Sequence, residues 1–310
     1  MTGGRGISRW GGASRFVDLD GPVHYVDFGG KPAGPAMVLV HGLGGSHLNW
    51  ALLAPLLAAD ARVLAVDLLG FGLSHPQGRS TTVQANARML DRFVQEVIGG
   101  PVILVGNSMG GMVSILQAVR HPGAVVGLVL IDPALPPAIG ARPELAITAA
   151  FAGFAVPVLG RWALARERRQ RSPRQQVRRL LALCCVDPSA VPEELVAASA
   201  ELLEQRSRVR GLDAAFLTAA RSLLALGARR SATWATIDAI RVPVLHLHGA
   251  QDRLVPAVIA AYAAQRHPEW TVEVIPGVGH VPQLEVPGPT AGRILTWLAG
   301  TAYPEGDTHR

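Results

Sequence analysis

Three reactive side chains, one serine, one aspartate and one histidine, each follow a separate strand-like stretch of the sequence. Ser108 lies in the turn Gly106–Gly111 (GNSMGG), between an apolar run and a helical pattern, and Asp252 and His280 follow two later strand patterns. A serine hydroxyl attacks a carbonyl carbon efficiently when a histidine accepts its proton and a carboxylate orients that histidine. The residue types and their order predict nucleophilic catalysis with Ser108 as nucleophile, His280 as base and Asp252 as the orienting acid.

The sequence around Ser108 is typical of a tight turn between a strand and a helix. Gly106 and Gly110 flank the serine two residues away on either side, where larger side chains would collide across such a turn. Gly111 would let the helix pack closely on its strand. A turn of this kind holds its serine in a strained backbone conformation that exposes the hydroxyl to a substrate.

Strand patterns and helical patterns alternate through most of the chain. An antiparallel hairpin is predicted within residues 16–28, and later strand patterns occur at residues 36–40, 62–67, 101–105, 125–131, 242–247 and 271–275. Several of these runs are apolar throughout, as in strands that are covered on both faces. The alternation predicts an α/β fold with a doubly wound, mostly parallel sheet, whose ligands bind at the carboxyl ends of the strands.

The alternation stops after Asp132. From Ala134 to about Thr236 the sequence shows helical patterns and Pro/Gly breaks but no strand pattern, which predicts a helical insertion. We therefore divide the chain into a core of residues 1–133 and 237–310 and a helical cap or lid of residues 134–236.

Composition favours one large folded domain and excludes several other classes. The chain has 310 residues, of which 49% are hydrophobic, and its two cysteines are adjacent, so they indicate neither a disulfide framework nor a metal site. No secretory signal pattern begins the sequence, and we predict a cytoplasmic location. No phosphate-binding loop indicates a cofactor, and the net charge of +6 comes without the interleaved aromatic residues that favour nucleic acid.

Four motifs together resemble those of the α/β-hydrolase superfamily. They are the turn around Ser108, the loop His41-Gly42-Leu43-Gly44, the segment of residues 248–256 and the pair Gly279-His280. The resemblance covers nearly all of the chain outside the insertion, and it implies an esterase-like or lipase-like serine hydrolase with a helical cap. It also implies that the backbone N–H groups of Leu43 and Met109 form an oxyanion hole. Gly42, which has no side chain, would let the substrate approach these N–H groups closely.

Other polar residues near strand ends receive structural interpretations. Asp132 ends a strand at a place where some relatives carry the acid, but the surroundings of Asp252 match the common pattern better. His246 and His248 lack a third ligand at a spacing suited to metal, so we interpret them as structural histidines.

Residues near the loop at Gly42 are interpreted in the same way. We expect Asp67 to brace a turn and His41 to form a hydrogen bond beneath the oxyanion hole. His47 is predicted either to contact the substrate or to face solvent.

A serine nucleophile excludes the epoxide hydrolases and haloalkane dehalogenases of this superfamily, which form an alkyl ester on an aspartate. The resemblance leaves ester hydrolysis through an acyl-enzyme and carbon–carbon hydrolysis of ring-cleavage dienoates. In relatives of the second kind a tryptophan typically follows the histidine, whereas Val281 follows His280 here, which favours ester hydrolysis. A ligand receptor that keeps the triad without turnover is a third alternative.

The insertion is the part of the chain that we expect to choose the substrate. Phe151, Phe154 and Leu159 belong to an apolar segment and are predicted to line an acyl pocket above Ser108, for a small-molecule ester with an apolar or lipid-like acyl group. An arginine-rich stretch follows, from residue 161 to residue 179. Together the two stretches predict peripheral docking on an anionic membrane surface, with a solvated basic face as the alternative.

Overall fold

Eight strands form one sheet in the computed structural model, which describes residues 10–31, 35–137 and 153–301. Along the sheet their order is β1-β2-β4-β3-β5-β6-β7-β8. β2 runs antiparallel to both of its neighbours, and the remaining neighbouring pairs are parallel. The strands are β1 (Ala13–Asp18), β2 (Pro22–Asp27), β3 (Ala36–Val40), β4 (Val63–Val66), β5 (Val102–Asn107), β6 (Val125–Ile131), β7 (Val244–Gly249) and β8 (Thr271–Ile275).

Helices connect these strands and pack against both faces of the sheet. The helices that matter for the site are α1 (Ala54–Leu57), α2 (Val83–Phe93), α3 (Met109–Arg120), α4 (Pro157–Gln170), α5 (Pro173–Cys184), α6 (Glu193–Ser207), α7 (Leu212–Ala228), α8 (Arg230–Ile237), α9 (Val258–Arg266), α10 (Pro282–Glu285) and α11 (Pro287–Gly300). This architecture confirms the predicted α/β fold with a mostly parallel, doubly wound sheet.

The central strands are buried on both faces because alternate side chains enter two separate cores. In β3, Val38 and Val40 join a cluster with α2 and α3, whereas Met37 and Leu39 join a second cluster with α1 and α11. All residues of β3, β4, β5, β6 and β7 are buried. The apolar runs of the sequence therefore correspond to strands that lie between two layers of helices.

The segment after residue 46 forms two short helical pieces rather than one continuous helix. Ser46 and Asn49 form a capping box at the start of a 3-10 turn, His47–Trp50. The helix α1 then begins anew, with Pro55 in its first turn. A proline fits only at the start of a helix, because it has no N–H to donate within one.

Helices alone occupy the described part of the chain between β6 and β7, from residue 153 onward. The last of them, α8, packs on the sheet, since Trp234 and Ile237 belong to the same core cluster as α2 and α3. The proposed cap boundary at residues 236 and 237 falls at the end of this core helix, and the division into core and cap stays a prediction.

No single helix within the described ranges has both the length and the apolar character needed to cross a bilayer. The helices α6 and α7 meet that criterion only as a pair, and they are bent by 110° relative to each other.

Replacement of Gly110 by alanine is expected to destabilise the whole fold. A Cβ atom at this position would lie 2.0 Å from the carbonyl oxygen of Val40, so the backbone of α3 or β3 would have to move. We expect the free energy of unfolding to fall by about 3 kcal/mol, measured by urea denaturation. Gly292→Ala in α11 is the matched control, because its Cβ meets no atom within 4 Å. An equal loss in both variants would contradict the proposed collision.

Candidate active site

Ser108 lies between β5 and α3 in a strained backbone conformation. Its φ of 54° and ψ of −117° fall in a region that residues other than glycine rarely adopt. Its N–H donates to the carbonyl oxygen of Ile131 at 3.1 Å, which ties the turn to β6. A Cβ atom on Gly106 would lie 2.6 Å from the carbonyl oxygen of Gly110, so the turn requires glycine there. The hydroxyl of Ser108 thus projects from the carboxyl edge of the sheet.

His280 and Asp252 meet at the same edge, on the loops after β8 and β7. The Nδ1 atom of His280 lies 2.6 Å from Oδ2 of Asp252, and both side chains are buried. The other oxygen of Asp252 accepts hydrogen bonds from the N–H groups of Leu254 at 2.7 Å and Val255 at 3.0 Å. Burial opposes ionisation of Asp252, but the charge and hydrogen bond of His280 lower its pKa below the ordinary value. The carboxylate of Asp252 therefore accepts a hydrogen bond from Nδ1 of His280 and fixes the orientation of the imidazole ring.

Asp132 lies directly behind this pair, at the end of β6. It is fully buried, has a φ of 43°, and accepts a hydrogen bond from the N–H of Gly249 at 2.8 Å. Burial and the neighbouring charge of Asp252 raise the pKa of Asp132 well above its ordinary value. The pKa values of the two neighbouring acids are thus shifted in opposite directions, with that of Asp252 lowered by His280 and that of Asp132 raised by burial and by the charge of Asp252.

Two backbone N–H groups lie on the loops that approach Ser108 from either side. Met109 is the first residue of α3, so its N–H has no partner within the helix. The N–H of Leu43 donates to no acceptor among the residues that the structure describes. A Cβ atom on Gly42 would lie 3.1 Å from the Cβ of Ser108, which shows how closely the two loops approach. Their assignment as an oxyanion hole stays a prediction.

A cavity of about 1690 Å³ separates the helices of the cap from the sheet, and Ser108 and His280 lie in its wall. Gly42 and Phe154 line it, and Phe154 packs edge-on against Phe216 at 5.3 Å between ring centroids, whereas their contact with substrate stays a prediction. The cap contributes an apolar wall from α5, α6 and α7 that includes Val177, Leu181, Leu195, Leu202 and Leu223.

The other two residues that the sequence predicts in the pocket are Leu159 and Phe151. Leu159 lies on the outside of α4 with 54% of its surface exposed and is not part of the cavity wall, so this prediction is wrong. The sequence identified the apolar segment but not which face of the helix points inward. Phe151 lies outside the described residues.

Comparison with known proteins identifies the family. A profile described as the alpha/beta hydrolase family matches residues 37–293. The chain belongs to this family. The hydrolase is also similar to a solved structure, Cfl2 from Burkholderia cenocepacia, with 25% identity, a TM-score of 0.77 and coverage of 93% of this chain and 96% of the other.

Three curated relatives differ in their reactions. The chain is 30% identical to a pimeloyl-(acyl-carrier protein) methyl ester esterase of Aromatoleum aromaticum, over 82% of this chain and 94% of the relative. It is 29% identical to a 2-hydroxymuconate semialdehyde hydrolase of Pseudomonas sp. strain CF600, over 86% and 88%. It is 28% identical to a dihydrolipoyllysine-residue acetyltransferase component of the acetoin cleaving system of Cupriavidus necator, over 88% of this chain but only 66% of that longer protein.

His41 braces the loop that carries Leu43 in the hydrolase. Its Nδ1–H donates to the carbonyl oxygen of Gly42 at 2.8 Å, and its Nε2 accepts from the N–H of Leu68 at 3.1 Å. Burial lowers the pKa of His41 from the ordinary value of 6.5 to about 4. The neutral imidazole therefore fits its two partners, and the expected hydrogen bond beneath the loop is present.

Asp67 organises a second buried network, at the end of β4. Its carboxylate accepts hydrogen bonds from Nδ1 of His24 at 2.7 Å, from Nδ1 of His47 at 2.9 Å and from the N–H of Leu73 at 2.8 Å. Asp67 thus braces its turn as expected. The prediction for His47 is wrong, because this side chain is buried against Asp67 and neither lines the cavity nor faces solvent.

Within the described residues, two groups of three side chains are spaced closely enough to hold a metal ion. The facing atoms of His24, His47 and Asp67 lie within 4.8 Å of one another, as do those of Asp132, Asp252 and His280. In each group the carboxylate already accepts hydrogen bonds from histidine, which accounts for the close approach. His246 and His248 belong to neither group, and His248 instead donates from Nε2 to the carbonyl oxygen of Val255 at 2.8 Å.

Glu285 connects the helical segment between β6 and β7 to the loop that carries His280, and it is not among the residues that the sequence predicts for the site. One carboxylate oxygen accepts from the N–H groups of Val186 and Asp187, both at 2.8 Å, and the other accepts from the N–H of Gly279 at 2.8 Å. A lone acid within the apolar stretch of residues 281–286 was the available signal, since an acid is rarely buried without partners. The buried Glu285 therefore links the backbone of residues 186 and 187 to Gly279, the residue before His280, and so helps to fix the position of His280.

The cap also contacts the loop directly. The N–H of His280 donates to the carbonyl oxygen of Cys184 at 2.6 Å, and a Cβ atom on Gly279 would lie 2.2 Å from the same oxygen. Cys184 and Cys185 are both buried and free, and burial raises the pKa of the Cys185 thiol to about 12.

Replacement of Glu285 by glutamine is expected to impair the positioning of His280. The amide nitrogen would face an N–H group, so one hydrogen bond would be replaced by two opposed donors. We expect the free energy of unfolding to fall by about 2 kcal/mol and the rate of modification by a fluorophosphonate to fall about 10-fold. The exposed Glu194→Gln is the matched control. A loss of stability with an unchanged rate of modification would show that Glu285 has only a structural role.

The stability of the hydrolase is expected to decrease between pH 6.5 and pH 4 because of His41. Its pKa of about 4 in the folded protein lies below the ordinary value of 6.5, so the unfolded chain binds a proton first. Its contribution is complete above pH 6.5 and is lost as the pH falls toward 4, by up to about 3 kcal/mol. Urea denaturation over this range should be less pH-dependent for His41→Gln, whereas equal slopes would contradict the interpretation.

Proposed function

We propose that the hydrolase cleaves carboxylic esters through an acyl-enzyme on Ser108. The observation that carries this proposal is the buried hydrogen bond of 2.6 Å between Nδ1 of His280 and Asp252, beside a cavity that both His280 and the strained Ser108 line. A histidine held in this tautomer presents Nε2 as a base toward the cavity. A serine beside such a base is a nucleophile rather than a structural hydroxyl.

The proposed reaction has two steps of the same kind. The Oγ atom of Ser108 attacks the ester carbonyl while Nε2 of His280 takes its proton, and the imidazolium then protonates the leaving alcohol. Water, deprotonated by the same histidine, then attacks the carbonyl carbon of the acyl-enzyme, and the imidazolium returns the proton to Oγ of Ser108 as the bond to the acyl group breaks and the acid leaves. In both steps the negative oxygen would accept hydrogen bonds from the N–H groups of Leu43 and Met109, each contributing about 10²-fold or more to the rate.

The cavity supports an ester with a large apolar acyl group. Its volume of about 1690 Å³ exceeds the roughly 300–1,000 Å³ of most small-ligand sites. The wall contributed by α5, α6 and α7 is mainly aliphatic, so it offers little to orient a small polar substrate. Similarity to a methyl ester esterase at 30% identity also favours ester chemistry over other reactions of the family.

Carbon–carbon hydrolysis is the second candidate, because a relative of similar identity is a 2-hydroxymuconate semialdehyde hydrolase and the cavity wall contains arginines. These are Arg161, Arg168, Arg171, Arg179, Arg206 and Arg253. Arg161 is available to a dienoate carboxylate. Arg206 donates to the carbonyl oxygens of Gly70 and Gly72, which engages its guanidinium. Val281 stands where tryptophan is typical of such enzymes, and we therefore rank this reaction second.

Replacement of Ser108 by alanine is expected to abolish both fluorophosphonate labelling and the hydrolysis of p-nitrophenyl butyrate, with a loss of at least about 10³-fold in kcat. Ser199→Ala is the matched control, because this serine lines the same cavity away from the strained turn. Hydrolysis that survives in the Ser108 variant would rule out the proposed mechanism.

A panel of substrates separates the remaining alternatives. Steady turnover of p-nitrophenyl esters that rises with acyl length supports the proposal, whereas faster turnover of a ring-cleavage dienoate would assign the carbon–carbon reaction. Stoichiometric labelling of Ser108 without turnover of either class would indicate a ligand receptor on the same fold.

A further inference from the structure

The helix α4 exposes an unusual concentration of apolar surface. Four large apolar side chains lie exposed within seven residues, namely Val156 (46%), Val158 (75%), Leu159 (54%) and Trp162 (60%). Scattered single exposed residues of this kind are common on proteins, but a contiguous group marks a surface that contacts something other than water.

Two faces of α4 have different surroundings. Leu164, Arg168 and Arg171 recur at helical spacing and line the cavity above Ser108. Val158, Trp162 and Arg169 recur at helical spacing on the other face, away from that cavity. A single helix therefore separates the substrate cavity from the exposed apolar surface.

Most arginines that follow Trp162 are paired, which the sequence did not indicate. Glu193 contacts Arg174 and Arg178, Glu167 contacts Arg171 and Arg179, and Arg168 pairs with Asp213. These pairs account for much of the basic stretch and argue against a uniformly basic surface.

The arginines of the outer face of α4 differ, because no carboxylate among the described residues lies within 4 Å of Arg166 or Arg169. The guanidinium of Arg166 lies 5.4 Å from the ring centroid of Trp162, and both arginines border an open depression of about 290 Å³ beside that ring. Uncompensated positive charge and apolar surface therefore coincide on this face.

We propose that the outer face of α4, formed by Val158, Leu159, Trp162, Arg166 and Arg169, docks the hydrolase on an anionic lipid bilayer. The apolar side chains would enter the boundary between headgroups and acyl chains, and the two arginines would contact lipid phosphates. The inference deepens the proposed function, on which it rests, because the cavity face of the same helix then receives an acyl ester directly from the bilayer.

The chemistry of the face favours a bilayer over an acidic protein. An acidic protein would be recognised by the arginines alone and would leave Val158 and Leu159 in water or against its own polar surface. A bilayer satisfies both components at once, since its headgroup region is anionic and its interior accepts aliphatic and indole side chains.

Binding to vesicles tests the proposal in the Ser108→Ala protein, so that lipid is not consumed. We expect co-sedimentation with vesicles of phosphatidylcholine and phosphatidylglycerol, little with phosphatidylcholine alone, and a decrease at high salt. Arg166→Gln with Arg169→Gln should weaken binding about 30-fold. The matched control, Arg88→Gln with Arg120→Gln, removes the same charge from exposed positions on α2 and α3 and should change binding little.

Insertion of the apolar residues has its own readout. Brominated lipids should quench tryptophan fluorescence, and Trp162→Phe should remove that quenching while vesicle binding persists. Trp162 is 60% exposed, Trp10 and Trp297 are partly buried, and Trp50, Trp234 and Trp270 are buried, so Trp162→Phe removes the most exposed of the six tryptophans.

Two results would overturn the inference. One is an equal loss of binding in both arginine pairs, and the other is salt-sensitive binding without quenching, which would indicate a purely electrostatic contact with the headgroups and no insertion of the apolar residues. Activity of the unsubstituted enzyme on soluble p-nitrophenyl butyrate tests the proposed function separately. Activity without vesicle binding overturns only the docking, and vesicle binding without any esterase activity overturns only the reaction.

Discussion

The hydrogen bond between His280 and Asp252 depends on a carboxylate that remains ionised in a buried place. An isolated buried carboxylate would take up a proton, and Asp132 beside it has the raised pKa that this environment imposes. The pKa of Asp252 is instead lowered, because His280 and two backbone N–H groups of its own loop donate hydrogen bonds to the carboxylate. The carboxyl ends of β6, β7 and β8 must therefore lie side by side, and the parallel sheet is the arrangement that brings them together.

The loop that carries Leu43 and the turn that carries Ser108 approach each other only because small residues and buried histidines surround them. Glycine at positions 42 and 110 removes the side chains that would block the approach, since a Cβ atom at position 110 would lie 2.0 Å from the carbonyl oxygen of Val40 and 2.6 Å from that of His41. His41 and the network around Asp67 then replace the missing packing with directed hydrogen bonds. A loop rich in glycine would otherwise lose more conformational entropy on folding, and these bonds give it one geometry.

The sequence predicted what depends on local patterns and missed what depends on distant partners. The strands at residues 36–40, 125–131 and 271–275 have the predicted bounds, since a short apolar run is a local signal. The roles of Glu285 and His47 were missed or misjudged because their partners lie far away in the chain. Leu159 was misplaced since periodicity gives the faces of a helix but not the neighbour that each face meets. The strained turn at Ser108 was recognisable because its glycines have a steric reason that is visible in the sequence.

The three hydrogen bonds of Glu285 also bear on how this protein can change during evolution. Caps of hydrolases are often regarded as modules that are exchanged to alter specificity while the core retains its chemistry. Here the backbone of residues 184–187, within the predicted insertion, forms hydrogen bonds with Glu285 and with the N–H of His280, so this segment helps to hold the loop that carries His280. A different cap that lacked these backbone hydrogen bonds would bring a new pocket. It would also leave the loop of His280 without this support. Divergence of specificity is therefore easier in α4 and α7, far from the junction, than by replacement of the whole insertion.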